Sequence, residues 1–110
     1  MWASRLVVVR WSQDGARVIR PYTPISHPGA RGHFELLFKV YEMGKMTRHL
    51  ANLSVGDAVE MRGPTGRFNF RKLLPPLDNL ALVCGGTGLT PMLQLLRCVA
   101  RFSPIVACAW

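Results

Sequence analysis

The segment Arg20–Ser26 combines side chains that bind phosphates and flat ring systems. It reads Arg-Pro-Tyr-Thr-Pro-Ile-Ser, so two prolines fix the backbone and remove two hydrogen-bond donors. A guanidinium holds a phosphate through paired hydrogen bonds, a phenol lies along a flat ring, and hydroxyls satisfy polar ring edges. The pattern predicts an extended segment that leaves a strand, with Arg20, Tyr22, Pro24 and Ser26 on one side as a ligand site. A proline-stiffened turn is the simpler alternative.

Short apolar runs predict the scaffold that positions this segment. Leu6–Trp11 and Ala16–Arg20 flank an Asp-Gly dipeptide, which is a strong hairpin signal. Strict alternation in His33–Tyr41 predicts a half-buried strand. This strand would place Lys39 and Tyr41 on one face, where they either meet a ligand or simply face solvent.

The stretch Gly44-Lys45-Met46-Thr47 predicts the start of a short helix that runs to about Leu53. A glycine lets the backbone come close to a ligand, and the N–H groups at a helix start favour an anion. A capped helix without a ligand is the alternative. Next we expect a strand at Ala58–Arg62, a turn at Gly63–Gly66 and a strand at Arg67–Phe70. Short strands joined by close turns predict a small, partial antiparallel β barrel.

A different pattern follows the barrel. Asn79–Cys84 is a continuous apolar run typical of a buried parallel strand. The glycine-rich Gly85–Leu89 comes next, and then a helix that Thr90 caps and Pro91 begins. Strand, glycine loop and helix start form the first βα unit of an α/β nucleotide-binding domain. The core face of that helix is predicted to comprise Met92, Leu95, Leu96 and Val99.

Composition favours a globular chain with two unequal parts. Hydrophobic residues make up 49% of the 110 residues, and a change at Leu73–Leu77 predicts a boundary between domains 1–77 and 78–110. The formal charge of +8 comes from dispersed Lys and Arg, which argues against nucleic acid and favours anionic ligands. The apolar runs are too short to span a bilayer, and we expect no transmembrane segment in this chain.

The three cysteines, Cys84, Cys98 and Cys108, have no paired metal-ligand spacing, and we expect no metal site. Reduced thiols are the expected state. We therefore expect the chain in the cytoplasm or at the cytosolic face of a membrane.

Taken in order, Arg20–Ser26, Gly44–Thr47 and Gly85–Met92 resemble NADH–cytochrome b5 reductase-like flavoproteins of the ferredoxin–NADP reductase superfamily. The resemblance extends from about Arg5 to Arg101. It implies FAD in the barrel, NADH at the glycine-rich loop, and a haem-protein acceptor such as cytochrome b5. Because the isoalloxazine carries the hydride and electron chemistry, no catalytic base is expected.

The resemblance also implies two sets of cofactor-binding residues. Arg20 would bind the FAD pyrophosphate, and Thr90 would approach the flavin from the second domain. The FAD set comprises Arg20, Pro21, Tyr22, Thr23, Ser26, Lys39, Tyr41, Gly44, Lys45, Met46 and Thr47. The set on the nicotinamide side comprises Gly86, Thr87, Gly88, Thr90, Pro91 and Met92.

Departures from the family pattern predict a truncated form. A glycine-rich segment before the first strand, the later βα units, an acidic ribose partner and a C-terminal Cys-Gly-Pro segment do not occur in the sequence. The main hypothesis is an NADH-dependent FAD oxidoreductase. The alternative is a non-catalytic truncated isoform that binds flavin weakly or only contacts partners.

Overall fold

The computed structural model describes residues 6–27, 29–66 and 79–99. These residues form an open three-stranded antiparallel sheet in the order β2-β1-β3, with two helices. The elements are β1 (Leu6–Gln13), β2 (Ala16–Tyr22), α1 (Lys45–Ala51), β3 (Glu60–Thr65) and α2 (Leu89–Val99), with a 3-10 turn at Gly86–Gly88. The partial antiparallel barrel predicted from the sequence is confirmed in this form. The predicted strand Arg67–Phe70 and boundary Leu73–Leu77 lie outside the described residues.

The hairpin of β1 and β2 forms as predicted. Asp14 and Gly15 have φ angles of 50° and 75°, the left-handed pair that a type I′ turn requires. The register pairs Gln13 with Ala16 and runs without interruption to Val7 and Tyr22. This turn therefore sets which residues of β2 share a face with the core.

The core lies on one face of the sheet. Val9, Val18 and Met46 are buried together, and Trp11, Tyr22, Leu36, Leu50 and Val59 pack against them. Met46 belongs to α1, so the predicted helix is confirmed and lies against β1 and β2. It ends at Ala51, two residues before the predicted end.

Strand β3 differs from its prediction. Gly63–Gly66 was expected to turn, but β3 continues to Thr65, which pairs with Leu6 after a register shift. Only β1 neighbours β3 in the described sheet, and an edge strand accommodates a proline such as Pro64. Gly63 permits the close approach, since a Cβ atom there would lie 3.1 Å from the Leu6 carbonyl oxygen.

The predicted strand at His33–Tyr41 is wrong. Only Leu36 forms a β bridge, with Pro24. Pro24 has no N–H to extend a ladder, so pairing continues irregularly. The Ile25 N–H donates to the Glu35 carbonyl (2.9 Å), and the Glu35 N–H donates to the Ser26 hydroxyl (3.2 Å) instead of to a carbonyl.

The predicted parallel strand at Asn79–Cys84 is also wrong. These residues have no strand pairing in the structure, and Val83 is 89% exposed. A parallel strand is normally buried between neighbouring strands and covering helices. The described residues supply no such neighbours, so the apolar sequence alone does not produce the strand.

Helix α2 is confirmed, but its buried face is not the predicted one. The helix begins at Leu89, one residue before Thr90, and its buried residues are Gln94, Leu95 and Cys98. Of the predicted core residues Met92, Leu95, Leu96 and Val99, only Leu95 is fully buried. The buried face is displaced toward Gln94 and Cys98, and Gln94 faces the segment at Pro24. Neither described helix has the length and apolar character needed to cross a membrane.

Candidate cofactor-binding site

Arg20 stands on the core face of the sheet. It pairs with Val9 across the hairpin, and alternation along β2 places Val18, Arg20 and Tyr22 on the same side. Yet Arg20 is exposed, and its hydrogen bond within the described residues goes to the Ile19 carbonyl (2.7 Å). A cation at the open edge of an apolar face favours an anionic ligand there.

Tyr22 follows Arg20 on this face and is half-buried. Its ring packs edge-on against Phe38, with centroids 5.8 Å apart and planes at 61°. Burial raises the pKa of the Tyr22 phenol, and the charge of Arg20 offsets part of the rise. The phenol is therefore a neutral hydrogen-bond donor in the physiological range.

The rest of the segment turns away from this open edge. Pro21 is exposed in β2 and Thr23 is half-buried. Ser26, expected to face the same way as Arg20, is 8% exposed, and its hydroxyl accepts the Glu35 N–H. Ser26 therefore orders the backbone, and its contact with a cofactor stays a prediction.

A ring of hydrogen bonds joins Tyr41 to the start of α1. The Gly44 N–H donates to the Tyr41 carbonyl (2.9 Å), and the Tyr41 N–H donates to the Thr47 hydroxyl (3.2 Å). The Thr47 hydroxyl in turn donates to the Gly44 carbonyl (3.2 Å). The Lys39 ammonium lies 5.5 Å from the centre of the Tyr41 ring. Lys39 and Tyr41 thus lie next to Gly44 and Thr47, although the sequence places them in separate motifs. We call these four residues the Gly44 corner.

Gly44 has a packing role in this corner. A Cβ atom would lie 2.3 Å from the Thr47 hydroxyl oxygen and 3.2 Å from the Tyr41 carbonyl oxygen. Its φ of −80° is ordinary, so space and not backbone conformation requires glycine. Lys45 is exposed, whereas Met46 is buried in the core and offers a ligand only its backbone.

The second predicted set lies around the start of α2. Gly86 has a φ of 52°, and the Gly88 N–H closes a turn onto the Gly85 carbonyl (3.0 Å). The Thr90 hydroxyl donates to the Thr87 carbonyl (3.4 Å), inside the helix and not as its cap. Pro91 and Met92 follow in the first turns, both half-buried.

Two residues that the sequence did not single out connect the two sets. The buried Gln94 side chain donates from Nε2 to the Pro24 carbonyl (3.0 Å), and Arg97 donates to the Ile25 carbonyl. The Arg97 guanidinium also lies 3.9 Å from the Glu35 carboxylate. A polar Gln among Met92, Leu95 and Leu96 was the available signal, but its partner is 70 residues away, a separation that no local pattern reveals.

A comparison with known protein families identifies the part of the chain that contains the FAD set. Residues 1–70 match the oxidoreductase FAD-binding domain. The chain belongs to this FAD-binding domain family. The matched range contains the whole FAD set, from Arg20 to Thr47.

Sequence similarity to relatives continues beyond the FAD-binding domain into the nicotinamide-side set of residues. The chain is 43% identical to NADH-cytochrome b5 reductase 1 of Laccaria bicolor, over 83% of this chain and 29% of the relative. It is 44% identical to that of Dictyostelium discoideum, over 79% and 30%, and 41% identical to that of Bos taurus, over 80% and 36%. The chain thus spans about a third of the length of these relatives.

A solved structure has the same fold. The CS-b5R domains of human Ncb5or, in the NAD+ form, superpose with a TM-score of 0.76 at 30% identity. The match covers 89% of this chain and 30% of that one.

Proposed function

We propose that this chain supplies the FAD-binding part of an NADH-dependent oxidoreductase that passes electrons to an acceptor such as cytochrome b5. The observation that carries the proposal is the meeting of two motifs on one face of the sheet. Met46, in the first turn of α1, packs in the same cluster as Val18 and Tyr22 of β2. The two motifs thus border the same apolar cluster, which supports a single extended ligand that contacts both.

The donors at this edge suit a flavin dinucleotide. Arg20 offers a forked cation for a pyrophosphate, and Lys45 and the amides at the start of α1 add to the positive potential. Tyr22 presents a half-buried ring and a neutral hydroxyl. FAD, when bound, supplies the hydride and electron chemistry, and Arg20 and Tyr22 hold and orient it.

The glycine turn before α2 supports NADH as the electron donor. Apart from the adjacent residues, no atom of the described chain lies within 4 Å of the position that a Cβ atom would take at Gly85 or Gly86, so the backbone there is open to a ligand. We propose that Gly86, Thr87, Gly88, Thr90, Pro91 and Met92 bound the nicotinamide side. We also propose a division into domains 1–77 and 78–110, and a reducing, cytosol-facing compartment. The free thiols of Cys84 and Cys98 support that compartment.

A second candidate function is flavin binding without turnover. Its support is the unpaired Asn79–Cys84 segment, where Leu80 is 41% and Val83 89% exposed. Hydride transfer needs the nicotinamide held at roughly 3–3.5 Å from the flavin, and that geometry needs a rigid nucleotide-binding frame. Ferricyanide reduction by NADH is the test, because steady turnover by the FAD-loaded chain would exclude the second candidate, which predicts FAD binding without turnover.

The test of the FAD site is a fluorescence titration of apo protein with FAD. Arg20→Ala should cost about 2–3 kcal/mol of binding free energy, the range for hydrogen bonds to charged groups. Arg17→Ala is the matched control, since Arg17 lies on the other face of β2, opposite Ser12. Equal affinity for Arg20→Ala and Arg17→Ala would remove Arg20 from the site and overturn the proposal's main contact.

A further inference from the structure

The segment Pro24–Ser26 is held by polar contacts from two directions. On one side, the Ile25 N–H and the Ser26 hydroxyl bond to the backbone of Glu35. On the other side, the Pro24 and Ile25 carbonyls accept hydrogen bonds from Gln94 and Arg97 of α2. Four polar groups of the segment are thus satisfied, and two of them depend on α2.

Gln94 is an unusual residue for the buried face of a helix. It is 4% exposed and lies on the same buried face as Leu95 and Cys98, where an apolar side chain would avoid the cost of burying an amide. Its Nε2 offsets that cost by donating to Pro24, in a segment where prolines prevent a regular ladder. The helix therefore supplies the donor that a neighbouring strand would supply elsewhere.

The same helix carries the glycine turn at its start. Gln94 lies six residues after Gly88, roughly 9 Å along the helix axis at about 1.5 Å per residue. Helix α2 thus carries the Gly86–Gly88 turn, which is predicted to border the nicotinamide, at its N-terminus. From its middle, it supports the Arg20–Ser26 segment.

We propose that Gln94 and Arg97 are positioning residues for the flavin site, acting through the Pro24 and Ile25 carbonyls. They fix the backbone that follows Tyr22 and thereby hold Arg20 and Tyr22 in the geometry that binds FAD. This inference rests on the proposed function.

Gln94→Leu tests the proposal in the full 110-residue chain, because it keeps the side-chain volume and removes the donor. Cys98→Ala is the matched control, since it removes a buried group from the same face and leaves both hydrogen bonds to Pro24 and Ile25 in place. We expect Gln94→Leu to weaken FAD binding about fivefold to tenfold, the equivalent of one lost hydrogen bond. Cys98→Ala should lower the unfolding midpoint and leave FAD affinity within about twofold. Arg97→Met should give a smaller loss, since Arg97 is more exposed.

Amide hydrogen exchange gives a readout that does not depend on FAD. The Ile25 and Glu35 amides should exchange faster in Gln94→Leu than in Cys98→Ala. Unchanged exchange, or FAD affinity equal to the parent's, would overturn the positioning role and leave the proposed function standing. A parent chain that binds no FAD would overturn the proposed function, and this inference with it.

Discussion

Arg20–Ser26 contains predicted FAD-binding residues, and Asn79–Gly88 leads into the turn predicted to border the nicotinamide. The two segments are held by different numbers of contacts. The first leaves a paired strand, packs against Phe38 and receives hydrogen bonds from Glu35, Gln94 and Arg97. The second has no strand pairing, and Val83 within it is 89% exposed. Of the two, only the first is fully supported by the described residues.

The difference follows from where along the chain each segment finds its partner strand. An antiparallel hairpin obtains its partner strand from the next few residues, so β1 and β2 satisfy each other through a two-residue turn. A parallel strand obtains its partners from distant chain through crossover connections. Connectivity therefore decides which of the two segments is paired.

The largest contrast should come from replacing valine by Asp, once in the sheet that supports Arg20–Ser26 and once in Asn79–Gly88. Val9→Asp buries an unpaired carboxylate at a position that is 0% exposed, and it should cost about 4 kcal/mol or more of unfolding free energy. Val83→Asp changes an exposed side chain and should stay within about 0.5 kcal/mol. Urea unfolding followed by circular dichroism measures both. A large loss for Val83→Asp would mean that residues 79–84 are packed in solution.

Replacing a glycine by Val should also cost different amounts of stability next to the core and in the unpaired segment. Gly44→Val forces a side chain against Thr47 and Tyr41, and overpacking of this kind costs about 2 kcal/mol. Gly85→Val is the control, since Gly85 is extended and, among the described residues, only its sequence neighbours lie within 4 Å of its Cβ position. Thermal unfolding of the flavin-free protein is the measurement. If Gly44→Val keeps its midpoint but loses FAD affinity, the requirement for glycine comes from the ligand and not from packing.

Replacing two glycines that have positive φ, Gly15 and Gly86, should give a smaller difference in stability between the hairpin and the unpaired segment. Gly15→Ala strains the turn that sets the hairpin register, and it should cost about 1 kcal/mol of unfolding free energy. Gly86→Ala introduces similar strain, but the unpaired segment before it can relax, so the global cost should be smaller. Denaturant midpoints of the two variants decide this. Equal costs would indicate that the Gly86 turn is coupled to the core as tightly as the hairpin is.

The smallest effect concerns the ionisation of Tyr22. Burial raises its pKa above the usual value of about 10, so the folded state favours the neutral phenol. The stability from this preference is complete below about pH 10 and is lost as pH rises through the folded-state pKa. Absorbance titration of the phenolates should therefore show a late step that Tyr22→Phe abolishes and Tyr41→Phe retains. A late step that persists in Tyr22→Phe would contradict the assignment.

Local chemistry in the sequence determined the hairpin and the α1 start, whereas α2 begins at Leu89, before the predicted Thr90 cap. Asp14-Gly15 specifies a left-handed turn whatever surrounds it, and the Gly44–Thr47 stretch begins its helix where predicted. The family was also accessible from the sequence, because Arg20–Ser26 and Gly44–Thr47 lie within the range that matches the FAD-binding domain, while the cofactor contacts of these residues stay a prediction. These features depend on interactions within a few residues of each other.

Only the tertiary structure decided which predicted elements found partners. Alternation in His33–Tyr41 and the apolar run Asn79–Cys84 both satisfy the local pattern for strands, but neither is part of the described sheet. The first meets Pro24, which has no N–H, and the second meets no neighbouring strand among the described residues. The buried face of α2 was likewise set by contacts 70 residues away in the chain, where Gln94 donates to Pro24. A side chain's partner across such a separation depends on the assembled fold, because hydrophobic periodicity reports only which positions are apolar.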